Sequence, residues 1–104
     1  MYTRIVTFRL NGPTGDEYRQ HAAAIADAFA AWDGLVAKLW IAEPGSETYG
    51  GIYVFASKDH ADRSRQTPEF TGLVVNPGFT DLAINEYEVL DDLTARTGGV
   101  LTAA

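Results

Sequence analysis

The stretches Lys38-Leu39-Trp40 and Gly50-Gly51-Ile52-Tyr53-Val54-Phe55 read as the two arms of a β-hairpin that is apolar on both faces. Along the first arm Leu35, Ala37, Leu39 and Ile41 alternate with Val36, Lys38 and Trp40. Along the second, Gly51, Tyr53 and Phe55 alternate with Ile52, Val54 and Ala56. A strand apolar on both sides must be covered twice, and a chain of 104 residues builds one core, not two. The second cover has to come from outside the chain.

The remaining elements follow from periodicity and turn chemistry. Residues 2–10 predict a first strand, with Val6, Phe8 and Leu10 on one face and Ile5, Thr7 and Arg9 on the other. Asn11-Gly12-Pro13-Thr14-Gly15-Asp16 is dense in turn formers, and Asp16 is expected to cap the next helix. From Glu17 to about Trp32 the residues Tyr18, Ala22, Ile25, Phe29 and Trp32 recur at helical spacing, and Gly34 terminates the run. The hairpin strands take Leu35–Ala42 and Thr48–Ala56. Their diglycine predicts a bulge or a close approach to the backbone. Ser57–Gln66 predicts a second helix with Ala61 as its single clearly apolar residue. Thr67-Pro68-Glu69 then starts a short helix carrying Phe70, Leu73 and Val74. Residues 79–90 predict a fourth strand, which closes a single domain over 1–90; residues 91–104 form a polar tail.

The order β-α-β-β-α-β with a short central hairpin predicts an α+β, ferredoxin-like βαββαβ sandwich. Its antiparallel sheet has order 4-1-3-2 and both helices on one face. The open face would expose several aliphatic side chains at about 1.5–3 kcal/mol each, so a homodimer packed sheet against sheet is expected. On the covered face the second helix is too lean to fill the space beneath it. A cavity is expected there, lined by Lys38, Trp40, Tyr53, Phe55 and residues of both helices, Phe29 among them. This assignment assumes that Trp40 lies opposite Gly51, since a one-residue slip exchanges Tyr53 and Phe55 for Ile52 and Val54.

Composition excludes several classes of function. A formal net charge of −6 disfavours nucleic acid as a partner. No apolar run approaches the roughly 20 residues of a membrane span, and the start of the chain has no leader-like pattern, so a cytoplasmic address is expected. Cysteine is absent, which removes disulfides, thiolate metal sites and a cysteine nucleophile. Nucleophile-elbow, P-loop and dinucleotide patterns are also missing, and no flavin, nicotinamide or metal site is expected.

Each candidate site residue has a functional and a structural reading. Trp40 beside Gly51 can stack on a flat ring or simply fill the core. Lys38 can hold an anionic ligand, reach the rim or pair with an acid. Tyr53 offers a hydroxyl to a ligand or to the core. His21 and His60 carry imidazoles on the two helices expected to flank the cavity. Either serves as a general base, as an axial ligand in a haem-binding version, or as a solvated helix residue. Asn11 can offer an amide from its turn. Arg63 and Arg65 read as a solvated helix end, and Glu86, Glu88, Asp91 and Asp92 as a solvated edge and tail.

Asn11-Gly12-Pro13, Gly15-Asp16, Gly34, Lys38-x-Trp40 and Gly50-Gly51-Ile52-Tyr53-x-Phe55 together resemble the ydhR-like putative mono-oxygenase family of the dimeric α/β-barrel superfamily. The resemblance is clearest over residues 5–60. It implies a barrel made of two ferredoxin-like subunits, each with a pocket between sheet and helices. The superfamily includes cofactor-independent oxygenases of aromatic or quinol-like molecules, haem-degrading enzymes, isomerases and cyclases. The expected activity is therefore mono-oxygenation of a small aromatic, quinol-like or polyketide-like substrate without a cofactor; the alternatives are a cyclase or isomerase using the same pocket, or a non-catalytic small-molecule or haem-binding protein. Trp40, Phe55 and Phe29 would pack the ring, Lys38, Tyr53, Gly51 and Asn11 would contact the substrate, and His21 or His60 would act as base.

Overall fold

The computed structural model describes residues 1–99. The alternating pattern of Tyr2–Leu10 forms β1, and Gly15–Ala30 form α1. The helix begins two residues earlier than Asp16 suggested. Thr14 is the N-cap, accepting a hydrogen bond from the Glu17 amide while the Glu17 carboxylate accepts one from the Thr14 amide. This reciprocal pair is a capping box, already spelled in the spacing Thr14-x-x-Glu17. Asp16 sits in the first turn, where the helix dipole favours an acid.

The chain continues through β2 (Leu35–Ala42), β3 (Thr48–Phe55), α2 (Lys58–Ser64), α3 (Pro68–Val75), β4 (Phe79–Glu88) and α4 (Asp91–Arg96). Thr67 caps α3 through the Phe70 amide, with Pro68 at the first helical position. The sheet order is β2-β3-β1-β4 with antiparallel neighbours, which is 4-1-3-2 read from the other edge. The molecule is a ferredoxin-like α+β fold. No helix among the described residues is long and apolar enough to cross a membrane.

Register decides what faces the helices. Trp40 lies opposite Gly51 and Lys38 opposite Tyr53, which brings Tyr53 and Phe55 to the helix side and leaves Ile52 and Val54 on the other. Two cross-strand rows organise the covered face: Glu86-Arg4-Tyr53-Lys38 and Ile84-Val6-Gly51-Trp40. Paired residues across a sheet point the same way, so each row is one continuous surface.

Three expectations are corrected, and for the diglycine the second alternative, close approach to the backbone, holds. A bulge between Leu35 and Ala37 turns Leu35 onto the helix side, where it packs against the core instead of sharing a face with Ala37, Leu39 and Ile41. The diglycine is not itself the bulge. A Cβ on Gly50 would collide with the Val6 carbonyl, and one on Gly51 would stand 3.0 Å from Lys38 Cε and 3.2 Å from Tyr53 Cε1. The lean helix α2 does not cover a void, because the fully buried Arg4 fills the space under Ala61 and Ser64. Finally, the segment expected to be a tail contains α4, with Asp91 paired to the N-terminal amine at 2.7 Å; residues 100–104 of that segment lie outside the described residues.

Candidate functional site

A cavity of about 300 Å³ lies between the sheet, α1 and α3. Its floor is the row Val6-Gly51-Trp40 with Tyr53 and Lys38, its α1 wall carries Tyr18, His21, Ile25 and Phe29, and its α3 wall carries Glu69, Gly72 and Leu73. Phe8, Phe79 and Tyr18 close one end, with Phe8 and Phe79 stacked at 4.1 Å. The other end is a stack of parallel rings: Trp32 over Tyr53 at 5.8 Å and 16°, and Tyr53 beside Phe55 at 6.1 Å and 2°. Trp32 is held there by its indole N–H, which donates to Glu69 Oε1 at 2.8 Å. Such a chamber, apolar with a few convergent polar groups, is the usual form of a small-molecule site.

Lys38 is the unusual member. Its Nζ lies 3.4 Å from the centre of the Phe29 ring, 3.5 Å from that of Trp40 and 4.5 Å from that of Tyr53. Three aromatic faces return part of the hydration the amine has lost, at about 0.5–2 kcal/mol for such contacts, but they supply no counter-charge. Burial prevails and pushes the Lys38 amine down to about 7. Gly51 makes this placement possible, since any side chain there would meet Lys38 Cε and the Tyr53 ring.

The two tyrosines shift in the opposite direction to Lys38. Burial pushes the Tyr18 phenol up to about 12 and the Tyr53 phenol higher still, so both remain hydrogen-bond donors at neutral pH. No fully buried side-chain oxygen or nitrogen among the described residues lacks a partner, so the unbonded Tyr53 hydroxyl opens onto the cavity. His21 lines the cavity from an exposed position on α1, at its rim. Trp40 forms a partition between this cavity and a groove along the outer flank of α1, bounded by Arg19, Ala22, Ala26 and Tyr49.

Of the residues singled out from the sequence, Lys38, Trp40, Gly51, Tyr53, Phe29 and His21 meet in the cavity. Three do not. His60 packs against Gly34, with its Nδ1 hydrogen-bonded to Ser57 Oγ at 2.6 Å and its Nε2 3.8 Å from Asp33. That end of α2 lies away from the chamber because α3, not α2, supplies its second wall. Phe55, the last ring of the aromatic stack, is fully buried and does not line the cavity, with the Arg4 guanidinium 5.1 Å above its ring. Asn11 is exposed in the turn, where its backbone N–H donates to the Gly78 carbonyl.

The residues missed from the sequence are Glu69 and Gly72 on α3 and, beside the cavity in the row of Tyr53 and Lys38, Arg4. Its Nε donates to Glu86 Oε2 at 2.7 Å, Nη1 to Ser64 Oγ at 2.9 Å and Nη2 to the Ala61 carbonyl at 2.8 Å. Glu86, expected on a solvated edge, also receives Arg65 Nη2 at 2.8 Å. Burial alone would raise its carboxyl, but the hydrogen bonds from Arg4 and Arg65 outweigh that and hold it below the ordinary carboxylate value. A signal existed: Arg4 has the same parity in β1 as Val6, Phe8 and Leu10. Among the described residues no group of three or more His, Asp or Glu side chains is arranged to hold a metal ion, and His21 is the single imidazole on the cavity wall.

A family model described as putative mono-oxygenase ydhR matches residues 5–100. Among proteins with curated descriptions, none matches. Several solved structures share the fold. A putative antibiotic biosynthesis monooxygenase from Deinococcus radiodurans aligns with a TM-score of 0.72 at 19% identity, covering 86% of this chain and 92% of that one. SnoaB, a cofactor-independent oxygenase from Streptomyces nogalater, aligns at 0.70 and 20%, covering 85% and 91%. The heme-degrader MhuD from Mycobacterium tuberculosis, with two hemes bound in its active site, aligns at 0.68 and 19%, covering 86% and 96%.

Proposed function

The chain belongs to the ydhR family of putative mono-oxygenases, and from that membership and the chemistry of its cavity we propose that it oxygenates a small aromatic, quinol-like or polyketide-like molecule without a cofactor. The observation that carries this reading is the placement of Lys38 Nζ among Phe29, Trp40 and Tyr53 with no counter-charge. An amine poised near neutrality can take a proton from an acidic phenol or activated methylene and then hold the resulting anion as an ammonium.

The substrate anion supplies the electrons. One passes to dioxygen, the carbon radical and superoxide combine into a C–O–O bond, and the protonated peroxide loses water as its C–H and O–O bonds break. One oxygen atom stays as a carbonyl and the other leaves in the water. The protein's part is deprotonation, orientation and exclusion of bulk water. Trp40 and Phe29 grip the ring, Gly51 leaves room beside it, the Tyr53 hydroxyl donates to a substrate oxygen, and His21 relays the proton at the rim.

Oxygen uptake with anthrones, quinols and tetracenones tests the reading: turnover under air without added cofactor, abolished under argon, is expected. Lys38→Met should lower kcat about a hundredfold, as loss of a general base does. Equal turnover under argon would point instead to an isomerase or cyclase using the same proton acceptor. A Soret band on titration with haem, lost in His21→Ala, would favour a haem-handling protein.

The assembly proposed for this site is a homodimer. On the face opposite the helices, Ile5, Ile52 and Leu39 form an apolar row, with Leu39 47% exposed. A second copy placing the same row against it gives the simplest closed symmetry. Light scattering showing a monomer at micromolar concentration would rule this out.

A further inference from the structure

We infer that Lys38 is a covalent capture site for aromatic carbonyl compounds, its Nζ adding to the carbonyl carbon of an aldehyde or ketone held in the cavity beside it. The inference rests on the geometry of the cavity and requires neither oxygen nor the oxygenase reading. Imine formation needs a neutral amine, an electrophile held within reach and little bulk water to reverse the reaction. Lys38 stands on the floor of an apolar chamber of about 300 Å³, and the chamber's apolar walls, Val6, Ile25 and Leu73 among them, are the surfaces on which a flat carbonyl compound would lie. The other titratable groups on the walls are Tyr18 and His21 on α1, Tyr53 on β3 and Glu69 on α3. Glu69 is engaged by the Trp32 indole.

The same chain contains its own controls. Its other lysine, Lys58, is exposed and bonded to Asp62 at 2.9 Å, which raises its amine above the ordinary value. The N-terminal amine is bonded to Asp91 at 2.7 Å. The Asp62 carboxylate holds Lys58 as an ammonium ion, which has no lone pair to attack with. At Lys38 the lone pair forms the C–N bond and the carbonyl oxygen becomes a hydroxyl. One nitrogen hydrogen has passed to that oxygen, and the hydroxyl then departs as water with the second, leaving C=N. Cyanoborohydride delivers hydride to the carbon and fixes the adduct as a secondary amine.

The experiment treats the full chain with salicylaldehyde and sodium cyanoborohydride at neutral pH under argon, followed by digestion and mass-spectrometric mapping of Lys38, Lys58 and Met1. Lys38 is expected to be labelled at least about tenfold faster than Lys58, consistent with the ordinary lysine pKa that keeps an exposed amine protonated. Lys38→Arg, folded by circular dichroism, should lose the fast adduct while Lys58 labelling is unchanged. A preference below about tenfold, or labelling concentrated at Lys58 and Met1, would overturn the inference. Because wild-type mapping alone decides the rate comparison, the outcome does not depend on how well a variant folds. Success here together with no oxygen uptake would separate this property from the oxygenase reading.

Discussion

Arg4 and Lys38 lie in one cross-strand row, on either side of Tyr53, and both carry their basic groups into the layer between sheet and helices. Arg4 is 0% exposed and uses Nε, Nη1 and Nη2 in three hydrogen bonds, one of them to a carboxylate. Lys38 has aromatic faces in place of partners. A guanidinium with its donors filled remains a charge and fixes α2 to the sheet. A desolvated amine without a counter-ion loses basicity and becomes available for chemistry. Two cations two strands apart thus divide into a structural one and a reactive one, and the difference lies in what surrounds them.

The largest test removes the structural cation. Arg4→Met should destabilise the fold by about 3–5 kcal/mol in urea unfolding, because Glu86 loses its buried partner and Ser64 and Ala61 lose a donor. A loss under about 1 kcal/mol would erase the contrast with Lys38.

Next comes the pH dependence of the reactive one. The Lys38 amine falls from 10.5 in the unfolded chain to about 7 when folded, so between these values the unfolded state binds the extra proton. Stability must then rise with pH across that window, and below it the full penalty for burying the ammonium applies. Relative to Lys38→Met, the wild type should gain roughly 3 kcal/mol between pH 7 and about pH 10, measured by unfolding of both proteins in parallel. Identical slopes would mean that Lys38 stays charged.

Gly51→Ala probes the space shared by Lys38 and Tyr53. The added methyl meets Lys38 Cε at 3.0 Å and Tyr53 Cε1 at 3.2 Å, and should cost about 1–3 kcal/mol while moving Lys38 out of its cage. Salicylaldehyde labelling of Lys38 should slow in the same variant. The smallest effect belongs to the exposed contributor to the Arg4 network: Arg65→Ala removes a partly exposed ion pair to Glu86 and should cost only about 0.2–1 kcal/mol.

The sequence alone carried the element order and the alternation of faces along each strand, and it brought Lys38, Trp40, Tyr53, Phe29 and His21 together on an assumed pairing of Trp40 with Gly51 that the tertiary structure decided. The first two are consequences of short-range periodicity combined with one topology. The helix start at Thr14 was also present in the letters, as a capping box whose glutamate was read simply as the first helical residue. Tertiary structure alone also decided which helix backs the cavity. Lean composition in α2 suggested empty space beneath it, but the space is occupied by Arg4, reaching up from the sheet to Ser64 and Ala61. The chamber therefore opens under α3, with Glu69 and Gly72 on its wall, and His60 and Phe55 fall outside it. A periodic pattern tells which side of a strand a residue takes. How far a long side chain reaches, and whether it finds a partner there, depends on elements distant in sequence, and that separates Arg4 from Lys38.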